Sequence, residues 1–109
     1  MSNIYYSPEK FGLTQVACID FSDGDYQFSY LAVWKDSEGN LYYAEDSGCS
    51  CPAPFEDFNG IESLTRVQSA KEIVSRMKYR AEESPYDYES GRIKAEVADF
   101  KSKVKRGEI

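Results

Sequence analysis

The sequence contains no histidine. That absence removes Ser/His/Asp and Cys/His nucleophile systems, His-ligated metal sites and the commonest general base near neutral pH. Gly24, Gly39, Gly48 and Gly60 stand alone, so neither G-x-x-x-x-G-K-[ST] nor G-x-G-x-x-G occurs and no glycine loop is available to cradle phosphates. No apolar run approaches the length of a membrane span, and Met1-Ser2-Asn3-Ile4-Tyr5 has neither the basic region nor the apolar stretch of a signal peptide. The expectation is a cytoplasmic protein with no membrane association, no cofactor and no catalytic residue. Three cysteines, an odd number in a reducing compartment, argue against a disulfide framework.

What is present is aromatic and unevenly charged. Aromatic residues make up 15% of the 109, enough bulk for one modest core and hence for a single domain over 1–109. Nine of these residues are tyrosines, whose hydroxyls must reach water or a partner when the ring is buried. Residues 1–60 hold two lysines, Lys10 and Lys35, against ten carboxylates, whereas 61–109 hold eleven basic and nine acidic groups. An acidic first half repels phosphate, which disfavours nucleic acid, and would attract a basic protein partner; it also favours solubility.

The pattern along the chain predicts an α+β fold. Residues 14–21 and 26–35 are rich in β-branched and aromatic types and flank Ser22-Asp23-Gly24-Asp25, which reads as a hairpin. In the second run Tyr26, Phe28, Tyr30, Ala32 and Trp34 share one face, and this aromatic stripe is taken as the core face. A polar loop with Gly39 leads to a third strand near 41–46, completing an antiparallel meander within 1–46. From Ser69 the period changes: Ala70, Ile73, Val74, Met77 and Ala81 define a helix near 69–82 with a capping box between Ser69 and Glu72. Ile93, Val97, Phe100 and Val104 define another near 90–106, so a helical hairpin within 69–106 should cover one face of the sheet, with Trp34, Phe28 and Tyr30 against Ile73, Met77, Val97 and Phe100.

Between sheet and helices, 46–60 reads as an ordered loop in which Pro52 and Pro54 exclude regular helix. Asp46, Cys49, Cys51, Pro52, Pro54, Phe55 and Glu56 form its candidate binding set, because a stiff segment loses little entropy on binding. Cys49-Ser50-Cys51 could chelate a soft metal or cycle through a strained disulfide. Even with Cys18 it supplies only three thiolates where structural zinc wants four ligands, so packing is the preferred role and no metal is expected. Asp20, Asp23 and Asp25 depart from calcium-loop spacing and fit turn formation. Arg92, Lys94, Lys101, Lys103, Lys105 and Arg106 make the last helix basic, which suits a solvated face and the helix dipole.

The string Asp46-Ser47-Gly48-Cys49-Ser50-Cys51-Pro52-Ala53-Pro54-Phe55-Glu56, with Tyr5-Tyr6-Ser7-Pro8-Glu9 and the hairpin from Trp34 to Tyr43, resembles a family of small accessory proteins encoded by tailed phages of actinobacteria. The resemblance implies a phage accessory gene acting in the host cytoplasm and brings no catalytic residue. The expected function is a non-catalytic protein, monomer or homodimer, that binds a host protein in host takeover or counter-defence. The alternatives are a small structural or assembly protein of the virion and a thiol- or metal-dependent activity at Cys49 and Cys51.

Overall fold

Leu31, Ala32, Val33 and Trp34 are four consecutive residues, each with no exposed surface. Successive side chains of a strand point to opposite faces, so such a run requires cover on both sides of the sheet. The computed structural model, which describes residues 4–22, 27–49, 55, 58, 60–83 and 91–109, provides it. Four antiparallel strands, β1 (Leu13–Asp20), β2 (Gln27–Asp36), β3 (Leu41–Cys49) and β4 (Thr65–Val67), lie in sequence order, with two helices, α1 (Ala70–Glu83) and α2 (Arg92–Lys105). The antiparallel α+β class agrees with the sequence reading; three details differ.

The first concerns the sheet's membership. Leu41, Tyr42 and Tyr43 pair with Val67, Arg66 and Thr65, adding a fourth strand that the sequence did not announce. Three residues, of which only Val67 is buried, are too few to show alternation. The second is the length of β3, which continues through Asp46 to Cys49, opposite Gln27 to Tyr30, where a loop was expected.

The third is which side of β2 the helices cover. Leu31 and Val33, not the aromatic stripe, pack with Ile19, Phe21 and Leu41 against Ile73, Val74 and Met77 of α1 and Ile93, Val97 and Phe100 of α2. Trp34 and Ala32 face away from the helices, into a second cluster with Ile4, Leu13, Ala44 and Phe55. The expected contact of Trp34, Phe28 and Tyr30 with the helices is therefore corrected: Trp34 is fully buried but behind the sheet. Both parities of β2 are apolar because both faces are covered, so side-chain bulk does not mark the face that the helices take. Aliphatic Leu and Val suit the close approach of two helices, while flat rings suit a thin layer of irregular chain.

A bulge sets the register on β1. Gln15 pairs with Trp34 and Ala17 with Val33, leaving Val16 extra. The insertion reverses the alternation, so Leu13 and Cys18, five positions apart, both join the rear cluster while Ile19 faces the helices.

α1 begins and α2 ends as their sequences suggest. Glu72 Oε2 accepts from the Gln68 and Ser69 amides at 2.8 and 3.1 Å, the reach-back half of a capping box. After α2, Gly107 at φ 75° lets its own amide and that of Glu108 turn back onto the Val104 and Lys103 carbonyls. Full burial of Ile73, Met77 and Ile93 contributes about 1.5–3 kcal/mol each. Arg80 locks α1 to the sheet: its guanidinium donates to Glu45 and to the Ser29 hydroxyl and lies 4.8 Å over the Phe21 ring. Arg76 joins Glu45 at 2.9 Å.

Candidate binding surface

The rear of the sheet is where the singled-out loop returns to the body of the protein. Asp46 lies on the rear face of β3, and its Oδ2 accepts from the Phe55 amide at 2.7 Å. Phe55 takes a left-handed backbone, φ 57°, unusual for a bulky residue, and has no exposed surface. Its ring meets Trp34 edge-on at 5.6 Å, stacks on Tyr5 at 5.4 Å and meets Phe58 edge-on at 5.1 Å. The Phe58 amide donates to the Phe55 carbonyl at 3.0 Å, and the Ile4 amide donates to that of Phe58 at 3.3 Å. Full burial of the Phe55 ring against Trp34 and a carboxylate-held amide offset a backbone cost of about 1–2 kcal/mol.

Asp46 and Phe55 are thus brought together as an anchor. Cys49 ends β3, with its side chain outside the described residues, and Cys51, Pro52, Pro54 and Glu56 also lie outside them, as do Asp23, Asp25, Tyr26 and the connection 84–90. Among the described residues no group of three acids or thiols converges in a way that could hold a metal ion. No helix among them is long and apolar enough to cross a membrane.

Beside the anchor stands a rim of tyrosines that sequence reasoning did not single out as a site. Tyr5 stacks near-parallel on Tyr30 at 5.8 Å and takes Tyr6 edge-on at 5.1 Å; Tyr30 lies 5.1 Å from Phe28. Tyr6 is 57% exposed, so one ring is offered to solvent on a support of three others. Tyr5 and Tyr6 precede a 3-10 turn, Pro8–Phe11, and have no period to betray them. The available signal was the two-sided burial of β2, which demands that aromatic chain from elsewhere cover Trp34.

Three groups at the base of this rim, Cys18, Tyr5 and Tyr30, are held in their protonated forms. Burial, and then the charges of Asp20 and Glu96, push the Cys18 thiol up to about 11, although a hydrogen bond with Tyr5 opposes them. Burial chiefly, with Cys18 and Tyr30 nearby, raises the Tyr5 hydroxyl above its ordinary range, and burial followed by Asp20 raises Tyr30. At neutral pH Tyr5 and Tyr30 therefore present un-ionised hydroxyls and Cys18 a thiol, which suits hydrogen bonding and packing rather than nucleophilic attack.

Four of the first half's ten carboxylates, all among the described residues, are held by partners within the fold. Asp20 accepts from the Ser22 amide and hydroxyl and from the Ser29 amide, at 2.9, 2.7 and 3.0 Å. Asp36 closes the β2–β3 turn, accepting from the amides of Glu38 and Asn40, the Asn40 side chain and the Tyr42 hydroxyl at 2.9–3.1 Å. Glu45 holds two arginines and Asp46 holds Phe55. These four carboxylates serve the fold itself, and the tyrosine rim offers a recognition element separate from them.

Against known proteins, the model of a family described as a domain of unknown function, DUF7574, matches residues 2–107, and the chain belongs to that family. No curated protein and no solved structure matches the chain.

Proposed function

We propose that this DUF7574 member is a non-catalytic phage accessory protein that binds a host protein in the host cytoplasm through the tyrosine rim behind its sheet. The observation that carries the reading is Tyr6, exposed yet edge-on to Tyr5, which is itself stacked on Tyr30 and Phe55. An amphipathic ring held by other rings loses little freedom on binding and offers both apolar area and a hydroxyl, the properties of interface hot spots. Phe55, tied to Asp46 and stacked on Tyr5, borders this rim and would extend the contact. The phage origin rests on the sequence resemblance alone.

Tyr6→Ala is the direct test, since an exposed ring can be removed with little effect on the fold. Affinity purification from infected cells with wild type and Tyr6→Ala should show one host protein retained by the first and lost by the second. Identical sets of co-purified proteins would overturn the assignment of the rim.

A further inference from the structure

On the opposite side of the molecule, the outer surface of the helices has a groove of about 400 Å³ between α1 and α2. Its apolar lining is Ala81, Val97 and Ala98, the first two at the edge of the helix-side core and Ala98 exposed. Lys78 and Lys101 line it from the two helices, Lys94 also borders it, and Glu82 is the single carboxylate among the described lining residues. No described acid forms an ion pair with Lys78, Lys101 or Lys105, whereas Lys103, Arg92 and Arg106 of the same helical region are each paired. The Lys78 and Lys101 ammonium groups approach closely enough that Lys78, with Lys105 behind it, lowers the pKa of Lys101. Two cations held together across a concavity are destabilising in the free protein and complementary to an anion.

We propose that the α1–α2 groove docks an acidic peptide segment of a partner protein, an apolar side chain seating on Ala81, Val97 and Ala98 while flanking carboxylates reach Lys78 and Lys101. The apolar floor favours a peptide over a phosphate backbone, which would gain nothing from Val97 and finds no arginine among the described lining residues. A symmetric second copy is disfavoured because a two-fold contact would set each lysine pair against its own image. This site is independent of the tyrosine rim and stands or falls separately.

The test uses a fluorescein-labelled peptide with a central leucine flanked by glutamates, read by anisotropy. Three comparison probes are the same peptide with alanine for leucine, its lysine counterpart and a single-stranded oligonucleotide of equal charge. Wild type should bind the glutamate–leucine peptide saturably and about tenfold more tightly than any other probe, and Lys78→Gln with Lys101→Gln should remove about tenfold of that affinity. The unliganded double variant should melt at the same temperature as wild type or higher, because the like-charge contact is gone. Three results would overturn the proposal: an oligonucleotide bound as tightly as the peptide, affinity unchanged in the double variant, or a double variant that melts lower. Peptide binding lost on Tyr6→Ala but retained in the lysine variant would place the site on the rim and also reject it.

Discussion

Phe55→Ala is the perturbation that best probes the two-sided architecture. The ring has no exposed surface and touches Trp34, Tyr5 and Phe58, so its removal combines lost transfer energy with a cavity, about 3–5 kcal/mol. Against a total of about 5–15 kcal/mol for a domain of this kind, the variant should still fold while losing a large share of its stability. Two cycles then locate the loss. With Ile73→Val, itself costing about 0.5–1.5 kcal/mol, the effects should add, because Ile73 belongs to the helix-side core and Phe55 to the rear one. With Tyr5→Ala they should miss additivity by about 0.5–1.5 kcal/mol, the worth of a lost aromatic pair. Phe55→Gly should be less damaging than Phe55→Ala by about 1 kcal/mol, since glycine adopts φ 57° without a Cβ penalty. Urea titration followed by the fluorescence of Trp34, the only tryptophan, reads all of these. Strong coupling of Phe55 with Ile73, or an alanine variant as stable as wild type, would refute the separation into two cores.

Glu45→Gln should destabilise by about 1 kcal/mol, less at high salt, because it releases Arg76 and Arg80 together; equal urea midpoints at low and high salt would count against this. In a background lacking Cys49 and Cys51, Cys18 should alkylate far more slowly than a free thiol at neutral pH, with a rate climbing until about pH 11; a burst of labelling at pH 7 would contradict its burial. The same shift has a stability consequence. The protonated thiol is favoured by the fold, so its contribution is intact below the ordinary 9.0 and is lost as pH rises toward 11, a loss that Cys18→Ala should abolish in alkaline melts. Hydrogen bonds to Asn40, Glu38 and Tyr42 hold the Asp36 carboxyl below its usual range despite opposing desolvation. Its stabilisation is therefore full above the ordinary 3.8 and disappears as pH falls through the lowered value, and Asp36→Asn should flatten that part of the acid limb.

The sequence made both helices legible because their signals are local. Ile73, Val74, Met77 and Ala81 keep helical period, and Glu72 sits three residues after Ser69 where a capping box requires it. The central strands were equally plain, since Asp36-Ser37-Glu38-Gly39-Asn40 can only turn back on itself so tightly with a glycine at positive φ, found at 89°. What stayed hidden is non-local. β4 is defined by its pairing with Leu41 to Tyr43 rather than by its own composition. The choice of face for Trp34 depends on what covers the rear, and that cover includes Ile4, Tyr5, Phe11, Phe55, Phe58 and Leu64, residues that share no period. Among the candidate site residues, Phe55 stood out by its neighbours Pro52 and Pro54, whereas Tyr5 and Tyr6 acquire significance only once stacked on Tyr30 and Phe55.

Among the described residues, the backbone of the rear layer is tied by Ile4 to Phe58, Phe58 to Phe55, and Phe55 to Asp46. Such a layer can open as a cooperative unit at a free energy below that of global unfolding, leaving α1 and α2 packed on Leu31 and Val33. Native-state hydrogen exchange would then divide the amides into two classes, the Ile4 and Phe58 amides exchanging through the smaller opening and the β2 ladder exchanging only with the whole domain. Tyr5 and Tyr30 take part in that rear layer, and Tyr6 rests on Tyr5. The tyrosine rim therefore exists only while the layer is shut, so the fraction of molecules competent to bind is set by a local equilibrium that substitutions at Phe55 or Asp46 would shift without unfolding the protein.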